Sequence, residues 1–351
     1  MELRRLGRTD LYVSALSLGT MTFGEQHTER EAFQQMDLAF DHGVNLMDTA
    51  ELYAVPRKAE TQGRSEQIVG NWMKARGNRD KIIVATKVVG RSELGWFRDD
   101  GSPTRLTAKQ IEEAVERSLN VLQIDCIDLY QVHWPDRNVT AFGSNPTVYF
   151  APEPALDETP IEETLDGLER VVKAGKVREI GVSNESPWGV MRYLHVSETQ
   201  SKPRIVSIQN AYSLANRTFE TGLAEIALRE DVGLLIYSAM AWGVLSGKYL
   251  GGQKPASSRT AIIGDNPRYR KAGMEAAVRA YLALADKHGV DIGQLATSFA
   301  ASRPFTASVI LGASMLDQLR SSLTACEDVP ITDELLKDIN EIQLIHTNPA
   351  P

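Results

Sequence analysis

Cysteine is nearly absent from this chain. Cys126 and Cys326 are the only two in 351 residues, and neither lies in a CxxC motif. That excludes the disulfide framework of a small secreted domain, and both are expected to be ordinary packed thiols. Long apolar runs are missing too. No stretch approaches the roughly 20 residues that cross a bilayer. Met1-Glu2-Leu3-Arg4-Arg5 leads into a polar segment without a signal-peptide core. Cytoplasm is therefore the expected location. Asn138-Val139-Thr140 and Asn216-Arg217-Thr218 match the glycosylation pattern but carry no weight without export. Positive charge is in deficit: the formal net charge is −8, which argues against a broad basic face for nucleic acid. A local pocket for one phosphate stays open. Trp96, Trp134 and Trp242 lie in loop segments without a basic run, so they do not suggest nucleic-acid stacking. The six histidines are scattered, with no HExxH pair or Cys/His cluster, and no metal is expected. There is no GxSxG nucleophile elbow and no GxGxxG turn after any predicted strand. No protein partner is identifiable.

What is present is an alternation. With 42% hydrophobic and 24% charged residues the chain reads as an ordinary soluble globule. Short β-rich runs occur at Leu16 to Leu18, Val44 to Met47, Ile82 to Ala85, Ile127 to Gln131, Glu179 to Gly181, Val206 to Ile208, Leu234 to Tyr237 and Val309 to Leu311. Helical periods lie between most of them. Ile111, Ala114, Val115, Ser118, Leu119 and Leu122 share one face, as do Ile161, Leu165, Leu168 and Val172. Thr28 with Glu31, Thr107 with Gln110, and Thr159 with Glu162 have capping-box spacing, and Pro160 suits a first helical position. Gly43 and Gly175 read as helix stops. Strand then helix, eight times, predicts a (β/α)8 TIM barrel as a single domain over 1–351, with a doubly wound open sheet as the rival. Leu3 to Val13 is expected to form an N-terminal β-hairpin. Trp134 to Glu158 and Met240 to Gly273 break the pattern as long loops after strands 4 and 7.

Asp48, Tyr53, Lys87 and His133 follow the second, third and fourth strands, so a barrel sets them on neighbouring staves at its catalytic edge. Singly, each has an ordinary reading: packing, a cap, a solvated lysine, a satisfied histidine. Together they suit protonation of a carbonyl oxygen. Tyr53 is the expected acid, with its pKa lowered by Lys87. Asp48 is expected to hold Lys87, and His133 to orient the carbonyl. Nothing in this set delivers hydride, so a nicotinamide cofactor is needed. Its candidate contacts are Ser183 and Asn184 after the fifth strand and Gln209 after the sixth. Tyr237 is the candidate for stacking, Gly243, Gly247 and Lys248 for a pyrophosphate loop, and Gly312-Ala313-Ser314 for the turn before a helix from Leu316.

These residues resemble the aldo-keto reductase superfamily over essentially the whole chain. The likeness is carried by Leu18-Gly19-Thr20-Met21, Asp48-Thr49-Ala50 with Tyr53, Thr86-Lys87, Gln131-Val132-His133, Gly181-Val182-Ser183-Asn184 and Leu311-Gly312-Ala313-Ser314. Gly19 to Gln26, Glu60 to Gly63 and Gly189 to His195 are similar to the bacterial Tas-type members. The resemblance implies NADPH bound without a Rossmann fold, and a tetrad of Tyr53, Asp48, Lys87 and His133. It places Ser183, Asn184 and Gln209 on the carboxamide and Tyr237 under the nicotinamide. It sets Ser238, Ala239, Met240, Gly243 and Leu245 along the pyrophosphate, with Gly247, Thr20 and Met21 also among the cofactor residues. Lys248, Arg259, Ser314 and Gln318 fall around the adenosine and its 2′-phosphate, and Gly312 is a further cofactor residue. Ser321, Ser322 and Ala54 depart from the residues many relatives carry.

The leading expectation is an NADPH-dependent reductase of a small carbonyl substrate. The alternative is a nucleotide-sensing module like the potassium-channel β subunits of the same superfamily. Trp134, Phe142, Tyr149 and Phe150 are expected as apolar substrate walls, with Trp242 closing the opposite side. Arg137 is the one nearby cation that would favour an acidic substrate; its ordinary reading is a solvated surface arginine.

Overall fold

The computed structural model describes residues 1–139, 153–256 and 258–351. Strands β1 (Leu3–Arg5) and β2 (Tyr12–Ser14) pair antiparallel as the expected hairpin. Eight further strands close a parallel barrel: β3 (Leu16–Gly19), β4 (Leu46–Asp48), β5 (Ile83–Val88), β6 (Ile127–Val132), β7 (Val177–Ser183), β8 (Ile205–Ala211), β9 (Gly233–Tyr237) and β10 (Thr306–Leu311). Each overlaps one of the sequence runs, and β10 pairs with β3 to complete the circle. That closure decides against an open doubly wound sheet.

Helices α1 (Glu29–Asp41), α2 (Arg64–Arg76), α3 (Ala108–Leu122), α4 (Ile161–Lys173), α5 (Pro187–Gln200) and α6 (Leu223–Glu230) follow the first six barrel strands. The stretch after β9 carries α7 (Arg259–Ile263), α8 (Met274–His288) and α9 (Ile292–Ala301); after β10 come α10 (Leu316–Leu323), α11 (Ala325–Asp328) and α12 (Asp333–Ile345). No helix among the described residues is long and apolar enough to cross a membrane. Thr28 and Glu31 form a complete capping box at α1. Thr107 caps α3, but the Gln110 amide oxygen accepts from the Arg105 N–H instead of completing the box. The expected Thr159 cap is not made: Pro160 takes the cap position and α4 starts at Ile161.

Two-residue alternation decides what enters the barrel. Leu46, Ile83, Ala85 and Leu129 join an inner cluster with Leu6, Leu11 and Val13 of the hairpin, which plugs the floor. Gly7 makes that plug possible: its φ is +59°, and a Cβ there would meet the Val206 carbonyl oxygen at 2.9 Å. Two residues further along β4, β5 and β6 the same inward face carries Asp48, Lys87 and Gln131. On β8 the pairing with β7 skips from Ile205 to Ser207. That irregularity at Val206 still leaves Gln209 inside, with its amide on Asp48.

Candidate active site

The four expected catalytic residues come together. Lys87 Nζ donates to Asp48 Oδ2 at 2.7 Å and to the Thr49 carbonyl at 2.6 Å. Asp48 Oδ1 accepts from Gln209 Nε2 at 2.8 Å and Gln131 Nε2 at 3.4 Å. The Tyr53 ring stands edge-on to His133, with centroids 5.6 Å apart at 87°, and Lys87 Nζ lies 5.1 Å from the Tyr53 ring centre. His133 leads into Trp134, their rings 5.0 Å apart. The side chains of Asp48, Tyr53, Lys87 and His133 are all buried.

Burial sets the electrostatics and corrects one expectation. The Tyr53 phenol is held well above its ordinary value by burial first, then by the charge of Asp48 and by Tyr237. Lys87 was expected to lower it. Its ammonium is instead turned to Asp48 and Thr49 and sits over the ring, so desolvation wins. Burial also pulls Lys87 down, opposed by Asp48. His133 is pushed well below its usual range by burial, then Lys87, then Arg57, so its imidazole is neutral, and its Nδ1 has no hydrogen-bond partner among the described residues.

Supporting carboxylates escaped the sequence reading. Glu51 pairs with Arg98 at 3.0 and 3.1 Å and accepts from the Val89 N–H at 2.6 Å. Glu66 on α2 accepts from Thr86 Oγ1 at 2.5 Å, on the outer side of the barrel wall next to Lys87. Burial raises its pKa to about 7. A signal for Glu66 was available: it falls on the buried stripe of α2 with Val69, Gly70 and Met73, where a carboxylate has no place unless it is used.

The cofactor candidates lie on the other side. Asn184, at φ 54°, donates to the His133 carbonyl at 2.9 Å and to Ser183 Oγ at 3.0 Å, while Tyr237 donates to its Oδ1 at 2.6 Å. Arg268, also missed, donates to the Tyr237 hydroxyl at 3.4 Å. Arg259 lies over the Trp242 ring at 4.6 Å, and its Nη2 is 4.0 Å from where a Cβ on Gly312 would be. Lys248 Nζ lies 3.4 Å from where a Cβ on Gly243 would be. Gly243 and Gly247 have φ of +86° and +77°. The Ser314 N–H donates to Gln318 Oε1 at 3.2 Å. Arg259 and Lys248 make no ion pair with a described carboxylate, and Trp242 Nε1 is buried without a partner among the described residues. Two uncompensated cations beside glycine-lined backbone fit an anionic, phosphate-bearing ligand.

Some expected contacts are placed otherwise. Thr20 is fully buried, its hydroxyl on Ser65 at 2.6 Å and the Asp48 carbonyl at 3.1 Å. Leu245 is a core residue, and Ala239 and Met240 pack against the same core. Met21 belongs to the apolar group around Tyr53, with Val55, Leu94 and Trp134. Trp242 does not reach that group. It stacks on Tyr269 at 16° and borders a cavity of about 190 Å³ with Tyr249 and Met274. Trp134 is pinned by its Nε1 to the Arg91 carbonyl at 2.9 Å. Arg137 is neither free for an acidic substrate nor solvated: it is ion-paired with buried Glu185 and covers the Trp188 ring at 4.9 Å. Phe142, Tyr149 and Phe150 lie outside the described residues.

Comparison with known proteins agrees with this geometry. The chain is 44% identical over its whole length to the whole of Protein tas of Escherichia coli (strain K12). It is 32% identical to the uncharacterized oxidoreductase YrpG of Bacillus subtilis (strain 168), covering 97% of this chain and 96% of that one. It is 29% identical to a probable voltage-gated potassium channel subunit beta of Arabidopsis thaliana, covering 99% and 98%. The aldo/keto reductase family matches residues 15–344, and the chain belongs to that family.

Proposed function

We propose that this oxidoreductase is an NADPH-dependent carbonyl reductase that converts aldehydes or ketones to alcohols. The observation that carries the reading is Tyr53: buried, its phenol held above its ordinary pKa by that burial, edge-on to His133 and beside the ammonium of Lys87. Tyr53 gives its proton to the carbonyl oxygen. His133 orients that oxygen by a hydrogen bond. Lys87, held by Asp48, is the ammonium that lies beside the Tyr53 ring as the proton leaves. Ser183, Asn184 and Tyr237 form the polar wall for a nicotinamide amide, and Arg259 with Lys248 supplies the charge for a 2′-phosphate. The bound nicotinamide supplies the hydride.

The likeness to a probable potassium channel β subunit supports a second reading, a nucleotide-binding regulatory module with slow residual turnover. NADPH and NADH oxidation against a panel of aldehydes, ketones and dicarbonyls separates the two. Many turnovers with a carbonyl and NADPH preferred over NADH are expected. Tight NADPH binding with only slow turnover on every carbonyl favours the regulatory reading.

A further inference from the structure

The loops after β3, β4, β5 and β6 surround Tyr53, and almost every cation they carry already has a carboxylate. Lys58 pairs with Glu25 and Arg98 with Glu51. Arg91 pairs with Asp136 and Asp157, Arg105 with Asp157, and Arg137 with Glu185. Arg57 differs. It is exposed, sits four residues after Tyr53 on the same loop, and makes no ion pair with a described carboxylate. Residues 140–152 contain no Asp or Glu that could supply one.

The stretch that carries Arg57 is tethered on both sides. The Ala54 N–H donates to the Thr61 carbonyl at 3.2 Å and the Val55 N–H to the Met21 carbonyl at 2.9 Å. Gln26 Nε2 donates to the Val55 carbonyl at 2.9 Å, and Lys58 is held by Glu25. Arg57 therefore stands over a fixed base, close enough for its charge to act on the His133 ring, after burial and Lys87. Met21, Val55, Leu94 and Trp134 form an apolar group packed with Tyr53 of the same loop. An uncompensated guanidinium on the loop that also carries part of an apolar group suits a ligand with an apolar body and an anionic end.

We infer that Arg57 is a specificity residue for carbonyl substrates that carry a carboxylate: the carbonyl is placed at Tyr53, the body against the apolar group, and the carboxylate on the Arg57 guanidinium. The inference rests on the carbonyl-reductase reading. It concerns Tyr53's own loop, whereas the cations assigned to the cofactor follow β9.

The test compares two aldehydes of the same shape, 4-carboxybenzaldehyde and methyl 4-formylbenzoate. The protein is tested as wild type, Arg57→Ala and Arg57→Lys, with NADPH affinity measured alongside. Wild type is expected to favour the acid. In Arg57→Ala the acid-to-ester ratio of kcat/KM should fall roughly three- to tenfold, between the strength of an exposed ion pair and that of a charge-assisted hydrogen bond. The loss should fall mainly in KM, and Arg57→Lys should recover most of it. Turnover of both aldehydes with an unaltered ratio in Arg57→Ala overturns this inference alone. A parallel fall in NADPH affinity overturns it too, because Arg57 would then serve the cofactor. Turnover of neither aldehyde by wild type overturns the reductase reading and this inference with it.

Discussion

On and just after β5 the buried cations Lys87 and Arg98 each face a carboxylate, whereas in the stretch after β9 Arg259 and Lys248 face none among the described residues. The two halves of one catalytic edge thus treat charge in opposite ways. A buried charge without a partner is costly, so the Lys87–Asp48 and Arg98–Glu51 pairs are completed within the fold and are rigid parts of it. Arg259 is only half-buried, its guanidinium pulled down by burial, and its charge is uncompensated until something anionic arrives. The first half is built for chemistry that starts from a neutral state. The second is built for a ligand that brings its own negative charge.

The largest expected effect separates chemistry from binding. Tyr53→Phe keeps the ring packed on His133 and removes only the hydroxyl. Carbonyl reduction should fall by roughly 10²–10⁴-fold, the range of general acid catalysis. Fluorescence titration should find NADPH affinity close to wild type. Near-normal turnover would remove Tyr53 from its role and blur the division between the halves.

Breaking one buried pair should act on stability. Glu51→Ala leaves Arg98 buried without its partner and should cost about 3–5 kcal/mol in denaturant unfolding. Arg259→Ala is the counterpart on the other half. It removes a cation that compensates nothing, so unfolding without cofactor should hardly change. NADPH should weaken by roughly 10–100-fold, as expected for a charge-assisted contact, and NADH far less. Equal loss for both cofactors would show that Arg259 does not read the 2′-phosphate.

Glu66 gives a pH-dependent prediction. Its pKa in the folded protein is about 7, above the ordinary 4.5 that it has unfolded. A raised carboxyl contributes its full stability below the unfolded value and loses it as pH rises through the folded one. Glu66→Gln keeps the acceptor for Thr86 and has no proton to lose. The variant should match wild type near pH 5 and exceed it at pH 8 by on the order of 2 kcal/mol. Parallel melting curves across that range would remove the titration from Glu66.

The smallest effect belongs to the substrate wall. Trp134→Ala should raise KM for an aromatic aldehyde several-fold, about what partial loss of an apolar wall costs, and leave NADPH affinity intact. Unaltered kinetics on both an aromatic aldehyde and a small dicarbonyl would take Trp134 out of the wall.

Much of this was legible in the chain. The eight β-rich runs, the hairpin turn and the places of Asp48, Lys87 and His133 at the ends of their runs are local features of the chain. Thr28 with Glu31 marks a helix start because a cap is made within one turn. Thr159 misled because Pro160, with no N–H to offer, took the cap position itself. Trp242 misled because a loop of that length does not declare which way its rings turn.

What the sequence by itself determined is therefore the barrel and the staves that carry the four candidate catalytic side chains. Each depends on spacing within a segment. The tertiary structure alone decided which charges meet. Arg137 finds Glu185 across 48 positions, Arg98 finds Glu51 across 47, and Gln209 reaches Asp48 across 161. It also decided that Tyr53 holds its proton more tightly, not less, and that Arg57 is left exposed without an ion pair to a described carboxylate. Desolvation and Coulomb energy depend on distance and burial in space, and no pattern along the chain encodes either.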